Sequence, residues 1–324
     1  MKKILILSRA SDVSTSDVIE WLIYNKAKVD RINIEDRLFN CRVSFKSHRN
    51  ILIELEFERN ILISLKDYSS FWYRRGELLF WKPEVEQYQN QVNRLLKNEW
   101  KVLTDFIYSF LEKRPHLGSL NKERNHNKLL SLLHAASVGL KIPHTVITTE
   151  KHDAVKSIKQ NEYITKAIHN IFTIHYDGLF SAVGTRLVSD YDLKSLGYYF
   201  FPTLFQKNIE KEYELRIFFI KNKFFPMAIF SSFDEQTKID FRNYNRSKPN
   251  RCVPFILPDG IETKLKNFIK VMELDTGSID MIVTKEYKFI FIEVNHIGQF
   301  GWLSDNCNYC IEKEIADYLI SICR

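Results

Sequence analysis

The segment from Gly277 to Gly301 restricts the chain most, because it combines two apolar, β-rich runs with three oxygen-bearing side chains. Asp280 lies in the first run, and Glu293 and Asn295 lie in the second, after a polar turn at 284–288. Alternate residues of a strand point to the same face of a sheet, so Glu293 and Asn295 would present their oxygen atoms side by side. If the two runs pair as an antiparallel hairpin, Asp280 would lie beside them.

Three hard oxygen ligands at the edge of a buried hairpin suit Mg²⁺, which prefers carboxylate and carbonyl oxygen and is usually shared with substrate phosphates. A nucleotide-dependent enzyme is therefore the first hypothesis. The opposing interpretation is a solvated hairpin on which the polar residues are incidental, since an isolated E-x-N motif carries little information without its context. Features elsewhere in the chain are needed to distinguish the magnesium site from the solvated hairpin.

Length and composition favour a globular protein with two or three lobes, because the chain has 324 residues and 45% of them are hydrophobic. No apolar run approaches the ~18 residues that a membrane span needs. The N-terminal run 4–7 is too short for a signal peptide and is followed by Arg9 and Asp12. We therefore interpret this run as a first β-strand and expect a cytoplasmic protein with no membrane partner.

Cysteine usage and charge exclude two further classes. The cysteines are odd in number and sparse, which argues against a disulfide framework: Cys41, Cys252, Cys307, Cys310 and Cys323. Cys307 and Cys310 form a C-x-x-C motif, but the sequence has no second such pair to complete a zinc site. The net charge of +7 is spread along the chain, whereas a nucleic-acid-binding protein would gather it in a basic stripe. We therefore expect no nucleic-acid partner. The mild excess of positive charge suits a polyphosphate or an acidic peptide.

The spacing of apolar residues predicts an α/β chain. Its elements would be strand, helix and strand (3–34), a β-meander (41–65), a long helix (84–111), a second helix ended by Gly139 (122–139), several short strands, and a final helix (308–322). The run from Pro115 to Ser119 is rich in turn formers and marks a first domain boundary.

Two lysines and one connecting segment are candidates for nucleotide binding. Lys166 lies in an apolar β-run, where it is either an edge-strand lysine or a compact positive charge that holds phosphate. Lys128 begins a helix, and on its own it would be an ordinary surface lysine. Residues 206–209 follow an apolar strand, and a segment that joins two lobes can offer backbone N–H and C=O groups to an adenine edge.

Two arginines are candidates for stabilising negative charge. Arg216 shares a strand face with Glu214, so it either pairs with that carboxylate or stabilises a transferring phosphoryl group. Arg242 lies in the polar run 240–251, which is either a surface loop or a functional loop.

Taken in order, these features resemble the ATP-grasp carboxylate–amine ligase superfamily over residues 120–303. The order is a helix lysine, a strand lysine, a hinge, the E-L-R motif, a polar arginine loop and D…E-x-N. The resemblance implies an α/β ATP-grasp fold in three lobes. These are an N-terminal pre-ATP-grasp α/β domain (1–116), a central lid domain (117–201) and a C-terminal nucleotide- and metal-binding domain (202–324).

Within that superfamily the chain resembles the microviridin-type, or graspetide, synthetases that mature ribosomally made peptides. The resemblance lies in the segments 71–77, 127–145, 204–218 and 274–304. It implies a precursor peptide partner, with a leader and a core rich in Thr, Asp and Glu. ATP would phosphorylate an Asp or Glu side chain of this core, and a Ser or Thr hydroxyl would attack the acyl phosphate to close an ω-ester macrocycle. Some relatives use Lys and form an ω-amide, and a homodimer is expected.

The resemblance also implies roles for individual residues. Lys128 and Lys166 would bind the nucleotide phosphates; Gln206, Lys207 and Ile209 would frame the adenine; Asp280, Glu293 and Asn295 would hold two Mg²⁺ ions; Arg216 and Arg242 would stabilise the transferring phosphoryl group and the acyl phosphate. This set suits phosphoryl transfer, which needs positioning, metal and positive charge. No side chain is an evident general base. The chain also departs from the family in having His296 after E-x-N, where Pro is common.

Three alternative functions remain at this stage. An ATP-grasp ligase that adds a free amino acid, such as glutamate, to a peptide or protein terminus would have the same ATP site. A non-catalytic nucleotide- or peptide-binding protein is less consistent with the intact D…E-x-N set and both lysines. Nucleic-acid binding is supported by net charge alone.

Overall fold

The computed structural model describes residues 3–47, 50–58, 61–81, 88–159, 162–169, 172–176, 179–232, 234, 236–242 and 245–323. The chain divides into two compact units. The first comprises Met1–His126, Asp275–Gly277 and His296–Arg324, and the second comprises Asn127–Leu274 and Ser278–Asn295. The three-lobe division predicted from the sequence stays a prediction.

The first unit begins as predicted, with strand, helix and strand followed by a meander. Its elements up to residue 124 are β1 (Lys3–Ser8), α1 (Val13–Tyr24), β2 (Lys28–Asn33), β3 (Leu38–Ser47), β4 (Asn50–Phe57), β5 (Ile61–Ser64), β6 (Tyr68–Tyr73), α2 (Gln89–Glu112), β7 (His116–Leu117) and α3 (Leu120–Arg124). A parallel sheet has the strand order β2-β1-β6-β7, and β3, β4 and β5 form an antiparallel sheet. Residues 4–7 of the central strand β1 are all buried, as expected of a parallel strand covered on both faces.

The second unit contains the remaining strands. Its elements are α4 (Lys128–Ser137), β8 (Thr145–Glu150), α5 (Lys151–Ser157), β9 (Tyr163–Lys166), β10 (Phe172–Tyr176), β11 (Leu179–Val183), β12 (Arg186–Leu187), α6 (Asp190–Ser195), β13 (Tyr199–Lys207), β14 (Tyr213–Ile220), β15 (Lys223–Phe230), β16 (Arg251–Pro254), α7 (Asp259–Val271), β17 (Thr276–Val283, of which 276–277 belong to the first unit) and β18 (Phe289–Asn295). The strands form a sheet of order β12-β9-β13-β8, a hairpin of β10 and β11, and a sheet of order β16-β15-β14-β17-β18.

One face of the five-stranded sheet is covered by α4 and α7. Alternate residues of β14 and β17, such as Ile217 and Ile279, pack there against Phe268 of α7. Phe268 also contacts Phe291 of β18, with ring centroids 4.9 Å apart. Because strand side chains alternate, the polar residues of β14 and β17 point to the opposite face.

The helix predicted over 122–139 is wrong as one continuous element. It is two helices, α3 and α4, because Asn127 caps a new helix. The side chain of Asn127 accepts hydrogen bonds from the backbone N–H groups of Leu129 (2.9 Å) and Leu130 (3.2 Å). Gly139 ends α4 as predicted: its φ is +80°, a left-handed conformation that glycine adopts without a Cβ penalty. The new helix therefore begins at Lys128.

The C-terminal helix also differs from the prediction. The chain returns to the first unit with α8 (Gly301–Cys307) and α9 (Ile311–Ile322), so a short helix was missed and the last helix begins later than predicted. Asn308 and Cys310 have φ values of 55° and 51°, and these left-handed residues separate the two helices. The long helix predicted over 84–111 is α2; residues 84–87 of that prediction lie outside the described part of the chain.

All five cysteines are free thiols, as expected. In the part of the chain that the structure describes, no helix combines the length and apolar character that crossing a membrane requires.

Replacing Asn127 by Ala should lower the free energy of unfolding by about 1 kcal/mol, because two N–H groups at the start of α4 lose their acceptor. Asn127→Ser should retain most of the stability, since serine is an equally good N-cap. Urea unfolding of both variants would measure the difference. Equal losses in the two would show that the capping bonds do not stabilise α4.

Candidate functional site

A pocket lies within the second unit, on the polar face of the five-stranded sheet. Seven residues chosen from the sequence line it: Lys166, Gln206, Lys207, Ile209, Arg242, Asp280 and Glu293. Two more, Lys128 and Arg216, contact its carboxylates, as described below. The structure therefore gathers residues that are far apart in sequence around one cavity.

A β-bulge in β18 places the carboxylates on this face. Phe289 and Phe291 are paired with Val283 and Met281 on the helix-covered side, and the register then shifts so that Glu293, not Ile292, is paired with Asp280. An extra residue in one strand reverses the facing of every residue after it. Without the shift, Glu293 would share the face of Phe289 and Phe291 and would be directed into the apolar core.

The predicted antiparallel placement of Asp280 beside Glu293 is thus confirmed by the register. Asn295 pairs with Ser278, one step further along the same face, and its side chain is exposed. The three oxygen-bearing residues therefore lie on one face of the hairpin, Asp280 on β17 and the other two on β18.

Asp280 is held by Arg216. Both residues are 8% exposed, and Nη1 of Arg216 donates to both carboxylate oxygens of Asp280 at 2.8 and 2.9 Å. Burial raises the pKa of Asp280, while the positive charge of Arg216 opposes this rise. Of the two roles considered for Arg216, the structure gives it Asp280 as its partner, whereas Glu214 pairs with Lys211.

Glu293 lies among cations. Its Oε1 is 3.4 Å from Nη1 of Arg242, and its Oε2 is 3.7 Å from Nζ of Lys128. Burial alone would raise the pKa of Glu293, but the positive charges of Lys166, Arg242 and Lys128 outweigh burial and hold this pKa below its ordinary value. The carboxylate is therefore ionised well into the acidic range.

Lys166 and Lys128 reach this carboxylate from different elements. Lys166 is the last residue of β9, a strand paired with β12 and β13, so the alternative of an edge-strand lysine is wrong. Burial lowers the pKa of Lys166, the charges of Lys128 and Arg242 lower it further, and Glu293 opposes both effects. Lys128 begins α4, where the helix dipole also favours negative charge.

Arg242 is oriented by Asp240, which sequence reasoning missed. Asp240 is 8% exposed, and its two oxygens accept hydrogen bonds from Nε (2.8 Å) and Nη2 (2.7 Å) of Arg242. These bonds raise the pKa of Arg242, and they hold the pKa of Asp240 below its ordinary value although burial acts in the other direction. The only sequence signal was an acidic residue two positions before the arginine.

The hinge candidates lie where β13 ends. Gln206 is 1% exposed and donates to the Thr145 hydroxyl at 2.9 Å, so its side chain is engaged in structure. The Lys207 N–H donates to the carbonyl oxygen of His144 at 2.8 Å. Residues 208–212 then connect the four-stranded sheet to the five-stranded sheet, so the predicted hinge (206–209) overlaps this connection only at residues 208–209, and its role stays a prediction. Ile209 also lines a neighbouring cavity of about 430 Å³.

Lys211 and Glu214 are a second set that sequence reasoning did not assign to the site. Lys211 is 8% exposed, pairs with Glu214 and lines both cavities. Burial raises the pKa of Glu214 despite this partner. A lysine in a polar connecting segment carries no sequence signal of burial, which explains the omission.

The donor set fits Mg²⁺ bound together with phosphate. Asp280 and Glu293 face each other in register, but among the described residues no cluster of three or more His, Cys, Asp or Glu side chains is arranged to hold a metal. Mg²⁺ is usually held by one or two carboxylates and completes its shell with water and substrate phosphates. The surrounding Lys128, Lys166, Arg216 and Arg242 supply positive charge for such a phosphate.

Asp280→Asn should lower the free energy of unfolding by about 2 kcal/mol, because buried Arg216 loses its counter-charge but keeps an oxygen acceptor. Denaturant unfolding would measure this loss. Asp305→Asn, at an exposed carboxylate of α8, is the control and should change stability by less than about 0.5 kcal/mol. Equal effects in the two variants would contradict the buried pairing.

No family model and no curated protein matches the sequence, so solved structures provide the comparison. The fold is similar to that of a RiPP-associated ATP-grasp ligase of Chryseobacterium gregarium, with a TM-score of 0.83, 28% identity and coverage of 99% of this chain and 97% of that one. It is similar to the macrocyclase MdnC of Microcystis aeruginosa MRC, with a TM-score of 0.79, 26% identity and coverage of 98% and 99%.

The macrocyclase MdnB of the same organism is also similar, with a TM-score of 0.76, 25% identity and coverage of 99% of each chain. The match therefore extends over both compact units and is not restricted to the pocket. The resemblance inferred from the motifs is confirmed by the fold: this chain has the ATP-grasp fold of RiPP-associated ligases and macrocyclases over almost its whole length.

Proposed function

We propose that this chain is an ATP-dependent ligase that joins side chains within a ribosomally made precursor peptide. It activates Asp or Glu side chains of the core as acyl phosphates and closes macrocycles with Thr or Ser (ω-ester), or with Lys (ω-amide). The observation that carries the proposal is the Asp280–Glu293 pair, which lies in register and is contacted by Arg216, Lys128 and Arg242. The hinge lines the same pocket.

The similar structures support the substrate class. The Chryseobacterium gregarium ligase is in complex with ADP and with a leader and core peptide, and MdnC is bound with its precursor peptide MdnA. Since this chain matches each of them over almost its full length, we infer ATP and a leader-bearing precursor as its substrates.

The nucleotide would bind with its adenine at Gln206, Lys207 and Ile209 and its phosphates toward Lys166 and Lys128. Residues 206–209 line the pocket where the strand β13 ends, which suits an adenine edge. Lys128 lies 3.7 Å from Glu293, and the charge of Lys166 acts on the same carboxylate. Their positive charges would orient the terminal phosphate.

Asp280 and Glu293, with Asn295 beyond them, would hold Mg²⁺, and we infer two ions as in the family resemblance. When bound, Mg²⁺ would neutralise phosphate charge and polarise the phosphoryl group that is transferred. Arg216 holds Asp280 in place, and Asp240 holds Arg242 with its guanidinium toward Glu293. Arg242 and Arg216 would thus stabilise the charge that develops on the transferring phosphoryl group.

The reaction has two chemical steps. A carboxylate oxygen of the core attacks the γ-phosphorus, the bond to the β-phosphate oxygen breaks, and ADP leaves. The hydroxyl of Thr or Ser then attacks the acyl carbon, loses its proton and expels phosphate. Each ring therefore removes the elements of one water from the peptide and consumes one ATP.

A cytoplasmic location is part of this proposal, because the reaction needs ATP and an unprocessed precursor. The homodimer and the individual site roles stay predictions. Addition of a free amino acid to a peptide terminus would require the same nucleotide site, and the experiment below separates the two reactions.

Incubation with ATP, Mg²⁺ and the Thr/Asp/Glu-rich precursor encoded beside this gene should lower the intact mass of the peptide by one water per ring. Mild alkali should reverse the loss for esters but not for amides. Glu293→Gln should abolish the loss, while Glu286→Gln, at an exposed residue of the β17–β18 turn, should retain it. A mass gain that depends on added free amino acids would replace the proposal by the terminal-ligase reaction.

Lys166→Met should weaken nucleotide binding about tenfold, because a phosphate loses one charge-assisted hydrogen bond while the aliphatic stem remains. Lys266→Met, at an exposed lysine of α7, is the matched control. Calorimetry with a non-hydrolysable ATP analogue and Mg²⁺ would measure both dissociation constants. An unchanged affinity in Lys166→Met would remove this lysine from the phosphate site.

A further inference from the structure

The loop from Ser231 to Asn250 carries Asp240 and Arg242 but contains no helix or strand among its described residues. It joins β15 to β16. Loops of this length without secondary structure are uncommon in compact domains and are usually functional. A loop that brings a guanidinium to within hydrogen-bonding distance of Glu293 has to be held in place by something other than strand pairing.

Thr237 lies at the middle of this loop and contacts both of its ends. Its side chain is fully buried, at 0% exposure. The hydroxyl can donate its single proton to the carbonyl oxygen of Ser231 at 2.9 Å, and Oδ1 of Asn250 lies 3.1 Å away as a second acceptor. The hydroxyl therefore lies between the first and last residues of the loop.

The backbone of Thr237 is tied in turn to the sheet. Nζ of Lys211 donates to the carbonyl oxygen of Thr237 at 3.2 Å and pairs with Glu214 of β14. The same oxygen of Glu214 accepts a hydrogen bond from the Ser231 hydroxyl at 2.7 Å. Lys211, Glu214, Ser231 and Thr237 thus form a continuous buried network, which we call the loop anchor.

Two members of the loop anchor, Lys211 and Glu214, line the pocket, whereas Ser231 and Thr237 do not. Asp240 follows Thr237 by three residues, and its carboxylate accepts hydrogen bonds from Nε and Nη2 of Arg242. Thr237 does not line the pocket, whereas Asp240 and Arg242 do. A change at the Thr237 hydroxyl can therefore reach the site only through neighbouring residues, either by moving Asp240 and Arg242 or by shifting Lys211, which donates to the Thr237 carbonyl oxygen.

We propose that the loop anchor, through the Thr237 hydroxyl, is a positioning device that sets the Arg242 guanidinium against Glu293 for phosphoryl transfer. The functional half of this inference rests on the proposed function, while its structural half does not. Small displacements of a positioned group lower catalytic rates steeply, so loss of the hydroxyl should lower turnover more than it lowers nucleotide affinity.

Thr237→Val removes the hydroxyl at almost constant shape, and Thr237→Ser keeps the hydroxyl while removing a methyl group. The valine variant should lower the turnover number for ADP formation with precursor peptide on the order of tenfold or more, with the KM for ATP little changed. The serine variant should restore turnover. Thermal unfolding would verify that both variants are folded at the assay temperature.

Hydrogen–deuterium exchange of 236–242 gives a readout that needs no peptide. Exchange should be faster in Thr237→Val than in the native protein and in Thr237→Ser. The inference would be overturned if Thr237→Val exchanged over 236–242 at the native rate. It would also be overturned if Thr237→Val exchanged faster but kept the native turnover number. Rings that fail to form with the native enzyme would instead remove the proposed function, and the exchange comparison would still stand as the test of the anchor.

If Thr237→Val does not fold, Ser231→Ala tests the same network from the other side, since it removes the hydrogen bond to Glu214 and keeps the Ser231 carbonyl oxygen. It should accelerate exchange over 236–242 and lower turnover in the same direction. A folded Ser231→Ala variant with native exchange and native turnover would also overturn the inference.

Discussion

The whole site depends on one extra residue in a single strand. Up to Phe291, β18 buries its odd-numbered side chains against α7, yet Glu293, which is also odd-numbered, lines the pocket, and Asn295 follows it on the same face. The register shift between the pairs Met281–Phe291 and Asp280–Glu293 reconciles these facts. Because facing alternates strictly along a strand, a core and a polar site can share the same strand only if it contains such a shift.

Placing a carboxylate on a partly buried sheet face has an electrostatic cost, and the site offsets it with cations from separate elements. Asp280 has Arg216 of the adjacent strand, and Glu293 has Lys128, Lys166 and Arg242 from a helix, a strand and a loop. Each cation is delivered by a different segment, so no pair of them is fixed by sequence spacing. The resulting balance keeps Glu293 ionised and leaves positive charge available for phosphate.

Local sequence patterns predicted the secondary structure of several elements well. They did not predict features that depend on contacts between residues far apart in the chain. The first strand–helix–strand unit, the meander and the antiparallel hairpin that carries Asp280 and Glu293 all follow from alternation and turn residues. The bulge that pairs Asp280 with Glu293 does not, because residues 289–292 are all apolar and show no alternation to break. The helix break before Lys128 depends on one capping residue, Asn127. Asp240 and Lys211 belong to the site because they are buried, and the polar segments around them contain no sequence pattern that predicts burial.

The loop that carries Arg242 illustrates how hydrogen bonds can hold the described residues of a polar segment. It offers few apolar side chains for burial, so packing against a core cannot fix it as it fixes α7 or β17. Its order has to come from hydrogen bonds, and buried hydrogen bonds constrain direction more sharply than apolar contacts do. A guanidinium that must meet a phosphoryl group in one orientation is better served by such directional bonds, and a buried network also excludes the water that would compete for them.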